Sequence, residues 1–129
     1  MIDYLDLDDA LAAADAAVGG RAQVRDIGLL ESALARPRAS VYGDDAYRTL
    51  DDKAAALLHS LVTSHPLVDG NNRLGWVAVR LFYQLNDADL EAPIDDAFEL
   101  VVDVAAGRVG DVPSIGRRLA VWRRPGLNG

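Results

Sequence analysis

The chain has 129 residues, of which 50% are hydrophobic and 26% are charged, and its formal net charge is −7. This composition indicates one folded domain with a sizeable core and excludes an intrinsically disordered chain. The acidic balance argues against direct nucleic-acid binding, and the absence of cysteine excludes disulfides. The acidic start and the lack of a run of about 18 apolar residues lead us to expect a cytoplasmic protein that contacts no membrane.

The first 37 residues predict two helices. Asp6 is a candidate N-cap for a run of helix formers that stops at Gly19-Gly20. Asp26 opens a shorter helical segment, which ends at Pro37.

Residues 36–49 carry a proline, a glycine and two tyrosines without helical periodicity. They predict a long exposed loop, in which residues 38–48 form either a loop or a short hairpin, and long loops in compact domains are often functional. Thr49 then caps an amphipathic helix that Pro66 ends.

The second half of the chain predicts three more helices. Apart from Arg73 and Arg80, residues 73–86 are apolar on nearly every side, which is typical of a buried central helix. One further helix stops at Gly107, and the last begins after Asp111. We therefore predict a single all-α domain over residues 1–129, a compact bundle of about six helices around a central buried helix.

A polar segment, "SHPLVDGNNRLGW" at residues 64–76, precedes that central helix. The first turn of a helix leaves about four N–H groups without partners and carries a partial positive charge, which together favour an anion. Gly70 allows close backbone approach, Asn71 and Asn72 add amide donors, and Arg73 adds a planar cation suited to phosphate. The segment predicts a phosphate site.

Two further residues suggest chemistry at this site. His65 lies four residues before Asp69, and imidazole can accept a proton near neutral pH. The Asp69 carboxylate is a hard oxygen ligand that suits Mg²⁺ beside phosphate. Together they indicate transfer of a phosphate-containing group from a nucleotide.

Structural readings of the same residues stay open. Asp69 can serve only as an N-cap, and Asn71 and Asn72 only as turn residues. His65 at a helix end can be a surface residue, and His59, on the same helix but outside the polar segment, is read as structural. Arg73 is harder to explain in this way if it lies in a buried helix, because an unpaired buried charge is costly.

The segment "HPLVDGNNR" resembles the Fic/Doc family signature, His-x-Phe-x-Asp/Glu-Gly/Ala-Asn-Gly/Lys-Arg. The matching positions are His65, Asp69, Gly70, Asn71 and Arg73. The segments "RDIGLLESALARPRASVYG" and "FELVVDVAAGRVGDVPSIGRRL" resemble the flanks of the Doc branch, the death-on-curing toxins. The resemblance thus covers nearly the whole chain.

The resemblance implies a role for each matched position. His65 would be the general base that activates a Ser, Thr or Tyr hydroxyl of a target protein, and Asp69 would hold Mg²⁺ on the phosphates of ATP. The backbone of residues 70–72 would form the anion hole, with Asn71 and Arg73 binding phosphate oxygens. The loop at 40–48 corresponds to the family's flap, which aligns the target by backbone pairing.

Two departures from the signature bear on the reaction. AMP-transferring members have glycine where this chain has Asn72 and a second arginine where it has Trp76, while Doc members have lysine at the first position. These departures favour a Doc-like toxin that transfers the γ-phosphoryl group of ATP, with elongation factor Tu as the implied target. AMP transfer and a non-enzymatic helical binding module are the alternatives. Leu67 for the usual Phe is a milder change, and Arg80 could replace some of the lost charge.

The chain also lacks a self-inhibitory motif that some Fic proteins carry. No Ser or Thr is followed by Glu at the spacing of the Ser/Thr-x-x-x-Glu-Gly/Asn helix. For Doc-like proteins, the resemblance implies a Phd-type antitoxin whose disordered tail folds as a helix into a groove.

Overall fold

The computed structural model describes residues 1–126. Within them the chain forms six α-helices, in agreement with the predicted all-α bundle. The helices are α1 (Leu7–Val18), α2 (Ile27–Ala35), α3 (Leu50–Ser64), α4 (Asn71–Leu85), α5 (Ile94–Ala105) and α6 (Val112–Trp122). None of the helices in this part of the chain has both the length and the hydrophobicity to cross a membrane. The last three residues of the predicted single domain lie outside the described residues.

Side-chain caps fix where several helices begin. Asp6 accepts a hydrogen bond from the Asp9 N–H at 2.8 Å, and the Asp9 carboxylate accepts the Asp6 N–H at 3.0 Å. Thr49 and Asp111 cap α3 and α6 through the N–H groups three residues on. These contacts confirm the predicted caps. The caps could be predicted because each cap and its partner lie within four residues in the sequence.

Two pairs of short strands accompany the helices. β1 (Ser40–Val41) and β2 (Asp44–Asp45) form the predicted antiparallel hairpin. A second antiparallel pair, β3 (Ala88–Leu90) with β4 (Arg123–Pro125), was not predicted. It ties the end of α4 to the end of α6.

The helix at the centre of the bundle is α3. It packs against α2, α4, α5 and α6 and buries the side chains Lys53–Leu58, Leu61 and Val62. In contrast, α4 exposes Asn72, Gln84 and Leu85 in addition to Arg73 and Arg80, so the prediction that α4 is the buried central helix was wrong. Because most residues of this segment are apolar, the polar face of α4 was not recognised in the sequence.

Close contact between α3 and α4 depends on Gly75. A Cβ at this position would lie 2.6 Å from Val62 Cγ1 and 3.0 Å from Leu58 Cδ1, and both neighbours are fully buried. The missing side chain therefore lets α4 lie directly on α3 and fixes the position of the loop between them.

Arg80 has a structural partner. Its guanidinium donates bidentate hydrogen bonds to the Asp89 carboxylate, with Nη2 at 3.1 Å from Oδ2 and Nε at 3.2 Å from Oδ1. The Arg80 hydrogen bond lowers the pKa of Asp89. The idea that Arg80 supplies charge to the phosphate site is therefore wrong, because its charge holds β3 against α4.

Candidate active site

The turn between α3 and α4 begins at His65, which ends α3 in a left-handed conformation with φ 55° and ψ 60°. This region is uncommon for residues other than glycine. Arg25 holds the turn, because its Nε and Nη2 donate to the His65 carbonyl at 2.8 and 2.6 Å. Arg25 Nη2 also donates to the Ser64 carbonyl at 3.0 Å. The main chain at His65 is thus fixed from outside its own helix.

The segment that precedes α2 also supports this loop. The N–H groups of Arg25 and Asp26 donate to the Pro66 carbonyl at 2.8 and 3.1 Å, and the Val68 N–H donates to the Gln23 carbonyl at 2.9 Å. These bonds place the loop of residues 65–70 against residues 23–26. Sequence reasoning missed Arg25, and no local pattern marks it, because its partner is 40 residues away.

Asn71 stabilises the loop from the other side. Its side-chain oxygen accepts the Leu67 N–H at 2.9 Å, and its side-chain nitrogen donates to the Leu67 carbonyl at 3.1 Å. Both halves of the amide are therefore engaged with backbone. This geometry favours a positioning role over the predicted side-chain contact with phosphate, while the Asn71 N–H belongs to the first turn of α4.

The amino terminus of α4 begins without a side-chain cap. Gly70 is the N-cap residue, with φ 87°, and within residues 1–126 no side chain accepts a hydrogen bond from the N–H groups of the first turn, residues 71–73. A Cβ on Gly70 would lie 2.8 Å from Val18 Cγ1, so α1 packs tightly against the same turn. The first-turn N–H groups are left for an anion.

Arg73 lies beside these N–H groups. Its Nη2 is 3.6 Å from the position that a Cβ on Gly70 would occupy. Arg73 is exposed, and no carboxylate of residues 1–126 lies within 4.0 Å of its guanidinium. The argument from a buried arginine was wrong, since the side chain is in solvent. Its charge is nevertheless not compensated by an ion pair.

His65 and Asp69 are both exposed at this loop. In the described part of the chain, no group hydrogen-bonds the His65 imidazole, and Asp69 Oδ1 accepts the Gly70 N–H at 2.8 Å. No cluster of three or more His, Cys, Asp or Glu side chains suited to a metal occurs within residues 1–126. One carboxylate fits Mg²⁺ when the phosphates of a bound nucleotide supply further oxygens.

A cavity of about 410 Å³ opens next to the α4 terminus, between α1, α4 and α5. Asn72 and Arg73 form its polar end, and Trp76 forms part of its wall. The α5 side chains Ile94 and Phe98 line it and are 87% and 70% exposed. The cavity therefore has a cationic end at the predicted phosphate site and an apolar remainder.

The hairpin and the residues that follow it form a flap, which we define as residues 40–47. Lys53 holds the base of this flap, because its Nζ donates to Asp45 Oδ2 at 3.1 Å and to the Tyr47 carbonyl. Only 1% of the Lys53 side chain is exposed. Sequence reasoning missed Lys53, although a lone charge within the apolar stripe of a helix is a usable signal.

Comparison with known proteins identifies the family of this chain. A family model described as the Fic/DOC family matches residues 4–83, which include the flap, α3, the loop and most of α4. The chain is also 50% identical over 121 residues to a protein named Toxin Doc from Mycolicibacterium smegmatis (strain ATCC 700084 / mc(2)155). That alignment covers 93% of each chain. The chain belongs to the Fic/DOC family.

Proposed function

We propose that this protein is a Doc-like toxin that transfers the γ-phosphoryl group of ATP to a hydroxyl of a target protein. The observation that carries the proposal is the uncapped amino terminus of α4, with the unpaired cation of Arg73 beside it and His65 at the start of the same loop. The relative named Toxin Doc, at 50% identity, supports the toxin assignment.

The α4 terminus would bind the phosphates. The N–H groups of residues 71–73 point out of the first turn, and Arg73 can add two parallel donors. Asp69 would hold Mg²⁺ together with the phosphate oxygens, and the ion would offset negative charge on the transferred group. Asn71 would act indirectly, because its side-chain amide holds the loop that carries Asp69 and the first turn of α4 in place.

The proposed step is a single displacement at phosphorus. The hydroxyl oxygen of the target bonds to the γ-phosphorus, and the bond from that phosphorus to the β–γ bridging oxygen breaks, so that ADP leaves. The imidazole of His65 accepts the hydroxyl proton. The flap aligns the target segment by pairing with it, and elongation factor Tu is the candidate target.

The apolar part of the 410 Å³ cavity is the proposed docking site for a Phd-type antitoxin. Ile94 and Phe98 lie one helical turn apart on α5 and are largely exposed, and with Trp76 they form a groove that suits the apolar face of a helix. Because the groove ends at Asn72 and Arg73, a helix bound there would cover the phosphate site. Antitoxin and ATP should therefore compete.

The test is label transfer to proteins of a bacterial lysate. Incubation with γ-labelled ATP and Mg²⁺ should label one protein, and α-labelled ATP should label none. His65→Ala should abolish the labelling, while Val68→Ala is the matched control because Val68 is 61% exposed in the same loop and has no role in the proposed reaction. Labelling from α-labelled ATP would instead establish AMP transfer. Absence of labelling with either nucleotide would favour the non-enzymatic binding module.

A further inference from the structure

A second cavity, of about 330 Å³, lies between α2 and α3. The polar residues that line it are one arginine, one histidine and four hydroxyl residues, without a carboxylate. This is unusual surface for a chain with 20 Asp and Glu residues and a net charge of −7. The cavity therefore has a local preference for an anion, in contrast to the acidic balance of the chain.

Arg36 enters this cavity from the turn after α2 and is held in one orientation. Its Nε donates to the Tyr47 hydroxyl at 3.1 Å, and its Nη1 donates to His59 Nδ1 at 2.7 Å and to Ser60 Oγ at 3.0 Å. Within residues 1–126 no carboxylate lies within 4.0 Å of the guanidinium. A fixed guanidinium loses little side-chain entropy when it binds a ligand.

Arg36 Nη2 has no partner within the described residues. Every buried side-chain nitrogen or oxygen in that part of the chain has a hydrogen-bond partner, so Nη2 is not buried. Because Arg36 is only partly exposed and lines the cavity, its two remaining N–H donors face open space.

His59 and Ser60 add two donors. Since Arg36 can only donate, His59 Nδ1 must accept, which assigns the imidazole proton to Nε2. Ser60 Oγ accepts from Arg36, which leaves its O–H free to donate. If Arg36 served only to hold Tyr47 against α3, its Nε and Nη1 would be sufficient. That role would not explain the remaining donors, which are Arg36 Nη2, the Ser60 O–H and His59 Nε2–H.

We infer that the cavity between α2 and α3 is a binding site for an oxyanion, a carboxylate or a phosphate, held by Arg36 with Ser60 and His59. The site is separate from the phosphate site of α4, because Arg73 lines the other cavity. Thr63 and Ser64 line the α2–α3 cavity, so it ends one residue before His65. A free ion can supply the oxyanion, as can an acidic or phosphorylated side chain of a peptide that lies along the flap.

The two histidines of the chain give a direct readout. Titration with inorganic phosphate, with acetate, and with a short glutamate or phosphoserine peptide, followed by NMR of the histidine ring signals, should shift the His59 signal saturably. Tighter binding of a peptide than of the free ion identifies a peptide side chain as the source, and equal binding identifies a free ion. Both results support the site.

Variants separate this site from the α4 terminus. Arg36→Gln should reduce the response of His59 at least 10-fold while any response of His65 persists, and Ser60→Ala should weaken it while leaving the Arg36 contact to Tyr47. Arg38→Gln is the matched control, since Arg38 lies in the same turn, is exposed, and packs over the Tyr4 ring. A His59 signal that does not move, or that moves equally in Arg36→Gln and Arg38→Gln, overturns the inference.

Discussion

Lys53 Nζ lies 3.1 Å from Asp45 Oδ2 and joins the centre of the bundle to the flap. Lys53 is the chain's only lysine, and its side chain is 1% exposed, whereas that of Asp45 is 58% exposed. Solvent screens the aspartate, so the ion pair by itself contributes little. The ammonium must nevertheless be hydrogen-bonded, because an unpartnered buried charge is costly. The hydrogen bonds from the Lys53 ammonium to Asp45 and to the Tyr47 carbonyl therefore fix the position of the flap.

Replacement of Lys53 should release the flap without unfolding the bundle. Lys53→Met keeps most of the buried volume and removes the charge, and such apolar replacements are often neutral or stabilise by about 1–4 kcal/mol. The Asp45 carboxylate left behind is 58% exposed, so it does not become an unpaired buried charge. Hydrogen exchange of the backbone amides in residues 40–47 should become faster while α3 and α4 stay protected. Transfer to the target protein should fall with the loss of flap order.

Asp45→Asn and Asp44→Asn are a matched pair for this prediction. Both residues lie in β2 and are exposed, but only Asp45 contacts Lys53. Asp45→Asn should speed exchange in the flap modestly, and Asp44→Asn should leave it unchanged. Equal effects of the two substitutions would mean that Lys53 does not set the flap position.

Alanine substitutions at Gly70 and Gly43 should separate two costs in stability, one from close packing and one from backbone strain. Both have positive φ, 87° and 85°, but a Cβ on Gly70 would meet Val18 at 2.8 Å, whereas a Cβ on Gly43 would meet nothing within 4 Å. Gly43→Ala should cost about 1–2 kcal/mol, the cost of a left-handed conformation. Gly70→Ala should cost about 1–3 kcal/mol more, from overpacking against α1. Urea unfolding of both variants measures the difference, and equal losses would contradict it.

The sequence predicted what depends on local contacts. Asp6, Thr49 and Asp111 cap helices through groups three residues away, and the spacing of the motif from His65 to Arg73 identified the family. What the sequence did not predict depends on long-range contacts. Arg25 reaches His65 across 40 residues, and β3 pairs with β4 across α5 and α6. No local periodicity encodes such pairs.

Asn71 should act through the shape of the loop. Asn71→Ala removes two hydrogen bonds to Leu67 and should lower the free energy of unfolding by about 1–3 kcal/mol. Displacement of the loop should also reduce phosphoryl transfer by about 100-fold. Arg25→Gln, which releases the His65 carbonyl from the opposite side, should reproduce that loss of activity. Activity unchanged in Arg25→Gln, with loss only in Asn71→Ala, would instead assign Asn71 to direct phosphate binding.

His59 should make stability depend on pH. Burial, with a smaller effect of the neighbouring Arg36 charge, lowers its pKa from the ordinary value of 6.5. The folded protein therefore binds fewer protons than the unfolded chain, and the contribution of His59 to stability is complete above pH 6.5 and is lost as pH falls below it. Denaturant unfolding between about pH 7.5 and 5.5 should show a smaller loss of stability in His59→Gln than in the wild type. An identical loss in both proteins would contradict the assignment.

We propose that His65, beside the open terminus of α4, directs phosphoryl transfer to a protein hydroxyl. This role can be measured by intact mass spectrometry of purified elongation factor Tu after incubation with this protein, ATP and Mg²⁺. We expect a gain of one phosphoryl group with the wild type and with Val68→Ala, and no gain with His65→Ala. A gain of one AMP group, or the same phosphoryl gain with His65→Ala, would contradict it.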